Sequence, residues 1–151
     1  MDVVLQGWVC NMMDFDDVKI GDVYEYEFDY TESVHYDFMQ LSGDDSRIHT
    51  SQSFARKNGF KNVLGYAFVL TSFLSKIYGT KFPGGNELCL KQECSFRNPF
   101  YIGDKIMFCI EVISKTDGLD VIEITNSAET DKGILVFTGK AALKLSLYSH
   151  T

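Results

Sequence analysis

Tyr66-Ala67-Phe68-Val69-Leu70-Thr71-Ser72-Phe73-Leu74-Ser75-Lys76-Ile77-Tyr78 is the stretch on which the fold of this 151-residue chain turns. It is the most apolar segment of the sequence, and it is apolar almost all round. A helix lying on a surface keeps one polar face, so this pattern predicts a helix buried by its surroundings. Gly79 follows as a cap, and Pro83-Gly84-Gly85 forces a turn. What comes next must supply the surroundings. Leu88–Phe96, Lys105–Thr116, Leu119–Glu129 and Ile134–Leu145 are β-rich segments. Asn98-Pro99, Gly103-Asp104, Asp117-Gly118 and Asp131-Lys132-Gly133 separate them. Turn signals this close predict antiparallel pairing of consecutive strands.

Upstream, Tyr24, Tyr26, Phe28 and Tyr30 alternate with Glu25, Glu27 and Asp29, the mark of a half-buried strand over Val23–Tyr30. Thr31 offers a helix N-cap. Val34, Phe38 and Leu41 then recur at helical spacing until Ser42-Gly43 stops the run. A second short helix is predicted from near Ser51 or Ser53 to the break at Asn58-Gly59. One early strand, a buried helix and a run of antiparallel strands make an α+β domain with the sheet wrapped on the helix. There is no repeat, low-complexity tract or linker, so residues 1–151 are expected to form a single domain.

Composition narrows the function. Hydrophobic residues make up 45 % and charged residues 23 %, the balance of a globular chain. The net charge of −7 argues against a general nucleic-acid or anionic-membrane binder. That charge is unevenly laid out. Residues 1–46 hold twelve acidic residues against one basic, and residues 47–97 hold eight basic against two acidic. No run approaches the ~20 apolar residues of a membrane helix, and residues 1–17 lack the basic and apolar blocks of a secretory signal. Cys10, Cys89, Cys94 and Cys109 form no Cys-x-x-Cys pair. Cys89 and Cys94, five apart in a strand, are expected on opposite faces. They are read as small buried hydrophobes in a reduced, cytoplasmic protein, with no metal or cofactor implied.

Three histidines could do chemistry. His150 is penultimate and expected to fray, and His35 lies between apolar positions of a helix, where packing or solvent exposure is the default. His49 closes Leu41-Ser42-Gly43-Asp44-Asp45-Ser46-Arg47-Ile48-His49, a polar loop with a carboxylate five residues before the imidazole. A loop can turn both side chains toward one water, and such acid–base help is worth about 10²–10⁴ in rate. By spacing alone, a solvated loop with an Asp cap is the stronger reading.

Four ordered motifs reverse that balance. Phe38-Met39-Gln40-Leu41-Ser42-Gly43-Asp44-Asp45-Ser46-Arg47-Ile48-His49 resembles the F-A-x-L-S-G-D-x-N-P-x-H motif of the MaoC-like (R)-specific enoyl-CoA hydratases. Tyr66–Ser75 resembles that family's central helix, which usually opens with His-Gly or Tyr-Gly. Gly79-Thr80-Lys81-Phe82-Pro83-Gly84 resembles its G-x-x-L-P-G exit. Phe96-Arg97-Asn98-Pro99-Phe100-Tyr101-Ile102-Gly103-Asp104 resembles F-x-x-P-V-x-x-G-D. The match covers about residues 20–145.

The resemblance implies a hotdog fold. It also implies hydration of a trans-2-enoyl thioester, on CoA or an acyl carrier protein, to the (3R)-3-hydroxyacyl thioester. Asp44 and His49 would hold the water. The Ala67 backbone N–H, at the helix start, would meet the charge developing on the thioester oxygen. Ser72 falls where family members often carry a serine in the site. Tyr66, in place of the frequent His, adds a phenol nearby. Arg47, with Ser46, replaces the usual Asn-Pro and could stabilise a carboxylate or contact a substrate phosphate. The usual Asp two residues after the His is Ser51. The resemblance further implies a homodimer whose sheets run together. Two alternatives stay open. One is a hotdog thioesterase, disfavoured because Phe68–Tyr78 contains no Asp or Glu; the other is a non-catalytic acyl-thioester-binding protein. Gly84-Gly85 follows a helix and lacks the strand–Gly–helix context of a phosphate loop.

Overall fold

The computed structural model describes residues 12–145, so Cys10 and His150 lie outside the described residues. Strand β1 (Val23–Asp29) keeps its alternation, with Phe28 and the following Tyr30 buried and Glu25, Glu27 and Asp29 turned out. Thr31 then caps α1 (Glu32–Ser42), its Oγ1 accepting the Val34 N–H at 3.2 Å. Gly43 ends α1 in the left-handed region at φ 73°. The inward face of α1 runs through Val34, His35, Phe38 and Met39, while Leu41 is 83 % exposed. The predicted stripe therefore loses Leu41 and gains His35. Apolar periodicity undercounts a histidine whose two ring nitrogens are both hydrogen-bonded.

Two short helices follow, α2 (Arg47–Thr50) and α3 (Gln52–Lys57). Ser51 caps α3 and Asn58-Gly59 closes it. The single turn of α2 lies inside what the sequence presented as plain loop. Helix α4 (Ala67–Thr80) runs through Gly79 rather than stopping there, and Lys81 caps it. Val69, Leu70, Leu74 and Ile77 are buried against the sheet, and Phe73 stacks on Phe28 at 3.6 Å. Each such buried aliphatic contributes roughly 1.5–3 kcal/mol. The helix is not buried all round. Phe68 is 65 % exposed, and Ser72, Ser75 and Lys76 are exposed with it.

The sheet is antiparallel throughout, with strands in the order β1-β3-β4-β5-β2, where β2 is Glu87–Phe96, β3 Lys105–Thr116, β4 Val121–Thr130 and β5 Leu135–Leu145. The inward residues Ile106, Phe108, Ile110, Ile122, Ile124 and Leu143 share one core with α4, the hotdog arrangement of a sheet laid around a helix. Consecutive pairing holds for β3–β4 and β4–β5 and fails for β2, which joins β5 instead of β3. Strand β2 thus forms one edge of the sheet.

That edge corrects the cysteine reading. Cys89 and Cys94 are exposed, because an edge strand has a neighbour on one side only, and Cys109, on the interior strand β3, is half-buried. A bulge between Cys89 and Lys91 pairs Cys89 with Leu143 and Cys94 with Gly139. Those partners are four apart on β5, so both thiols face the same side.

Candidate active site

The chain meets itself at the start of α4. Leu64 N–H donates to Ile48 O at 3.1 Å, and Gly65 N–H to Phe100 O at 2.7 Å, drawing the segment before α4 between α2 and the strand connection. Gly65 cannot be larger. A Cβ there would stand 2.3 Å from the Phe100 ring, which is itself buried.

His49 sits on the turn of α2 with Nδ1 2.7 Å from Leu64 O. A carbonyl only accepts, so Nδ1 carries the proton and, in the neutral ring, Nε2 presents a lone pair. That Nε2 lies 3.9 Å from Asp44 Oδ2. Asp44 Oδ1 accepts the Ser46 N–H at 3.1 Å. Hydrogen bonds from the Ser46 hydroxyl and amide hold the Asp44 carboxyl below its ordinary range, with the nearby imidazole adding to the effect. Asp44 is therefore ionised at neutral pH, and with the neutral His49 ring the pair offers two acceptors to one small molecule.

Tyr66 organises the pair rather than facing a ligand with its phenol. Its ring stacks on the His49 imidazole at 4.0 Å and 26°, and its hydroxyl donates to the backbone carbonyl of Asp44. Burial pushes this phenol up, with the Asp44 charge adding to it. Ala67 follows as the first residue of α4, where an N–H has no intrahelical acceptor and the helix dipole favours negative charge.

A cleft of about 450 Å³ brings together Asp44, His49, Tyr66 and Ala67. Phe38, Phe60, Leu64, Phe68 and Phe96 supply apolar wall, and Arg97 and Asn98 supply further polar groups. Ser72 and Arg47 are not part of that wall. Ser72 is five residues beyond Ala67, about 140° round the helix, and is exposed. The Arg47 guanidinium lies over the Phe54 ring at 4.5 Å. Asn98 on its own is not singled out in the sequence, whereas Arg97 is one of the basic residues of the middle block expected to offer a positive rim to an anionic thioester. The Phe96-Arg97-Asn98-Pro99 motif was the signal that could have found both. Among the described residues no group of three His, Cys, Asp or Glu is arranged to hold a metal ion. An ionised carboxylate, an imidazole lone pair and a free helix-terminal amide on one cleft can activate water beside a polarised carbonyl.

A family model described as the MaoC-like domain matches residues 17–133. An (R)-specific enoyl-CoA hydratase from Aeromonas caviae is 30 % identical over 108 residues, covering 72 % of this chain and 81 % of that one. A mitochondrial 3-hydroxyacyl-[acyl-carrier-protein] dehydratase from Arabidopsis thaliana is 30 % identical over 97 residues, covering 64 % of this chain and 57 % of that one. The solved structure of the (R)-hydratase from A. caviae superposes with a TM-score of 0.80 at 26 % identity, over 85 % of this chain and 97 % of that one. An unliganded R-hydratase from Pseudomonas aeruginosa has the same fold, with a TM-score of 0.82 at 22 % identity over 89 % and 86 % of the two chains.

Proposed function

The chain belongs to the MaoC-like domain family, and from that premise we propose that it is a hydro-lyase of acyl thioesters. It adds water to a trans-2-enoyl thioester, carried on CoA or an acyl carrier protein, and runs the reverse dehydration of the (3R)-3-hydroxyacyl thioester. One observation carries this reading. Asp44 Oδ2 and His49 Nε2 stand 3.9 Å apart in a cleft that also holds the first amide of α4. A gap of that width is bridged by a single water making two bonds of about 2.8 Å.

In this mechanism the pair accepts both hydrogens of the water. As the oxygen attacks the β-carbon, one of the pair takes its proton. The C=C electron pair moves toward the carbonyl, the Ala67 N–H meets the charge that gathers on the thioester oxygen, and the proton that the pair took from the water is delivered to the α-carbon. Removing a donor from such an oxyanion site in other enzymes costs about 10²–10³ in rate. The donor here is a backbone N–H, so Ala in place of the usual Gly retains it.

The same proposal includes a homodimer joined along the β2 edge. Its support is the outer side of β2, which pairs with no strand among the described residues, together with exposed Leu88, Leu90, Phe96 and Phe68. A reducing, cytoplasmic setting suits the thiols of Cys89, Cys94 and Cys109, which are free.

The test is turnover of short and medium trans-2-enoyl-CoA, followed by loss of the conjugated thioester's ultraviolet absorbance. Asp44→Asn and His49→Ala are each expected to abolish turnover with the fold retained by circular dichroism. Full activity in both variants would remove the mechanism. Release of free CoA from saturated acyl-CoA by the parent would instead identify a thioesterase.

A further inference from the structure

We infer that Tyr30 and His35 are positioning residues of this site: their side chains form a hydrogen-bonded bridge that locks the His49 turn to the opening of α4. Neither residue lines the cleft, and neither belongs to the motifs discussed above. His35, at the second turn of α1, is only 2 % exposed, and Tyr30 is fully buried.

The direction of every bond in the bridge follows from its end points. His35 Nε2 lies 2.9 Å from His49 O, which can only accept, so Nε2 carries the proton. The neutral ring then has its lone pair on Nδ1, 2.9 Å from the Tyr30 hydroxyl. Tyr30 therefore donates to His35, leaving its oxygen free to accept the Tyr66 N–H at 3.0 Å. Burial pushes the His35 imidazole down, in keeping with a neutral ring. The chain thus runs from the Tyr66 amide through Tyr30 and His35 to the His49 carbonyl with no donor facing a donor.

Both ends are backbone atoms of the site. His49 O belongs to the residue bearing the imidazole, and Tyr66 N to the residue before the Ala67 amide. The bridge therefore helps set the separation of the acid–base pair from the oxyanion amide. Tyr30 is itself anchored. Its N–H donates to Asp104 O at 2.9 Å, its carbonyl accepts the Gly103 N–H at 2.8 Å, and its ring meets Phe100 edge-on at 4.8 Å. Through Tyr30 the site is referenced to the start of β3, a part of the sheet that does not touch the substrate cleft. Displacements of about 1 Å in such constellations cost up to about 10² in rate.

The kinetic arm of the test rests on the hydratase reading, and a spectroscopic arm does not. Tyr30→Phe keeps the ring and removes the link; His35→Gln keeps a donor toward His49 O and removes the Nδ1 acceptor. With trans-2-butenoyl-CoA, each is expected to lower kcat by about 10- to 100-fold while KM stays within about twofold. The double variant Tyr30→Phe/His35→Gln should fall no further than the worse single, since one broken bridge cannot break again. Nitrogen-15 spectra of the parent imidazoles should give His35 as the Nε2–H tautomer. In Tyr30→Phe, the Tyr66 amide and the His49 ring resonances should both move. Unchanged kcat in both single variants, or equal changes in kcat and KM, would overturn the inference. So would a His35 ring protonated at Nδ1, or His49 and Tyr66 resonances that stay put in Tyr30→Phe. A parent without hydratase activity would count against the proposed reaction, and the spectra would still decide the bridge.

Discussion

Ser46 is the residue that most directly sets the charge on the proposed acid–base pair. Its hydroxyl and amide bind the ionised form of Asp44 and so depress its pKa below the ordinary 3.8. Ser46→Ala removes the hydroxyl and leaves the amide. The Asp44 titration midpoint is therefore expected to rise part of the way toward the ordinary value, read by carbon-13 titration of the carboxyl. The sign is fixed by which form is bound: a bond to the anion lost means a proton held more easily. A midpoint that stays put would show that the backbone N–H alone holds the carboxylate. The approach of Asp44 and His49 to each other was legible in the sequence only through four motifs in order, because their spacing alone favours a solvated loop. The work of Tyr66 was only half legible. Its place beside the proposed oxyanion amide could be inferred, but its hydroxyl turns to Asp44 O, twenty-two positions earlier. His35 was legible only as a packed residue, because its partners Tyr30 and His49 are chosen by folding and not by spacing.

At the scale of elements, two glycines carry contacts that no propensity scale records. Gly139 on β5 lies beneath a part-buried polar triangle. Tyr78 donates to Gln92 Oε1 at 2.8 Å, Gln92 Nε2 to Asn126 Oδ1 at 3.1 Å, and Asn126 Nδ2 to the Tyr78 oxygen at 2.8 Å. A Cβ at Gly139 would stand 2.3 Å from Asn126 Oδ1 and 2.4 Å from the backbone oxygen of Glu93. A paired strand cannot swing aside as a side chain can. Gly139→Ala is thus expected to destabilise the protein by about 1–3 kcal/mol, seen as a lower urea midpoint with unchanged m-value. Gly65→Ala would press on the Phe100 ring and is expected to lower turnover, by shifting the start of α4. The local signals of these elements were legible: the alternation of β1, the caps Thr31 and Ser51, the turns between strands. Partner choice was not. Whether β2 joins β3 or β5 depends on how the chain crosses the sheet after Asn98-Pro99, and the bulge that turned Cys89 and Cys94 to one side adds one residue that a strict period of two cannot anticipate.

At the scale of the whole molecule, the hotdog architecture was readable because one very apolar helix followed by four strands leaves few ways to cover it. The basic middle of the chain reads differently in three dimensions. Arg47 lies on Phe54, Lys61 on Tyr101, and Lys91 pairs with Glu93, while Arg97 alone of these four enters the cleft wall. Phe68 and Phe96 meet edge-on at 5.3 Å, both line the cleft, and both are exposed beside the free edge of the sheet. A second copy seated on that edge would therefore become a wall of the proposed catalytic chamber, and mass action would enter the rate law. On serial dilution, specific activity is expected to decline along the same curve as the dimer fraction measured by light scattering. Phe68→Glu should shift both curves together toward higher protein concentration, while activity that holds constant across dissociation would make each chain sufficient by itself.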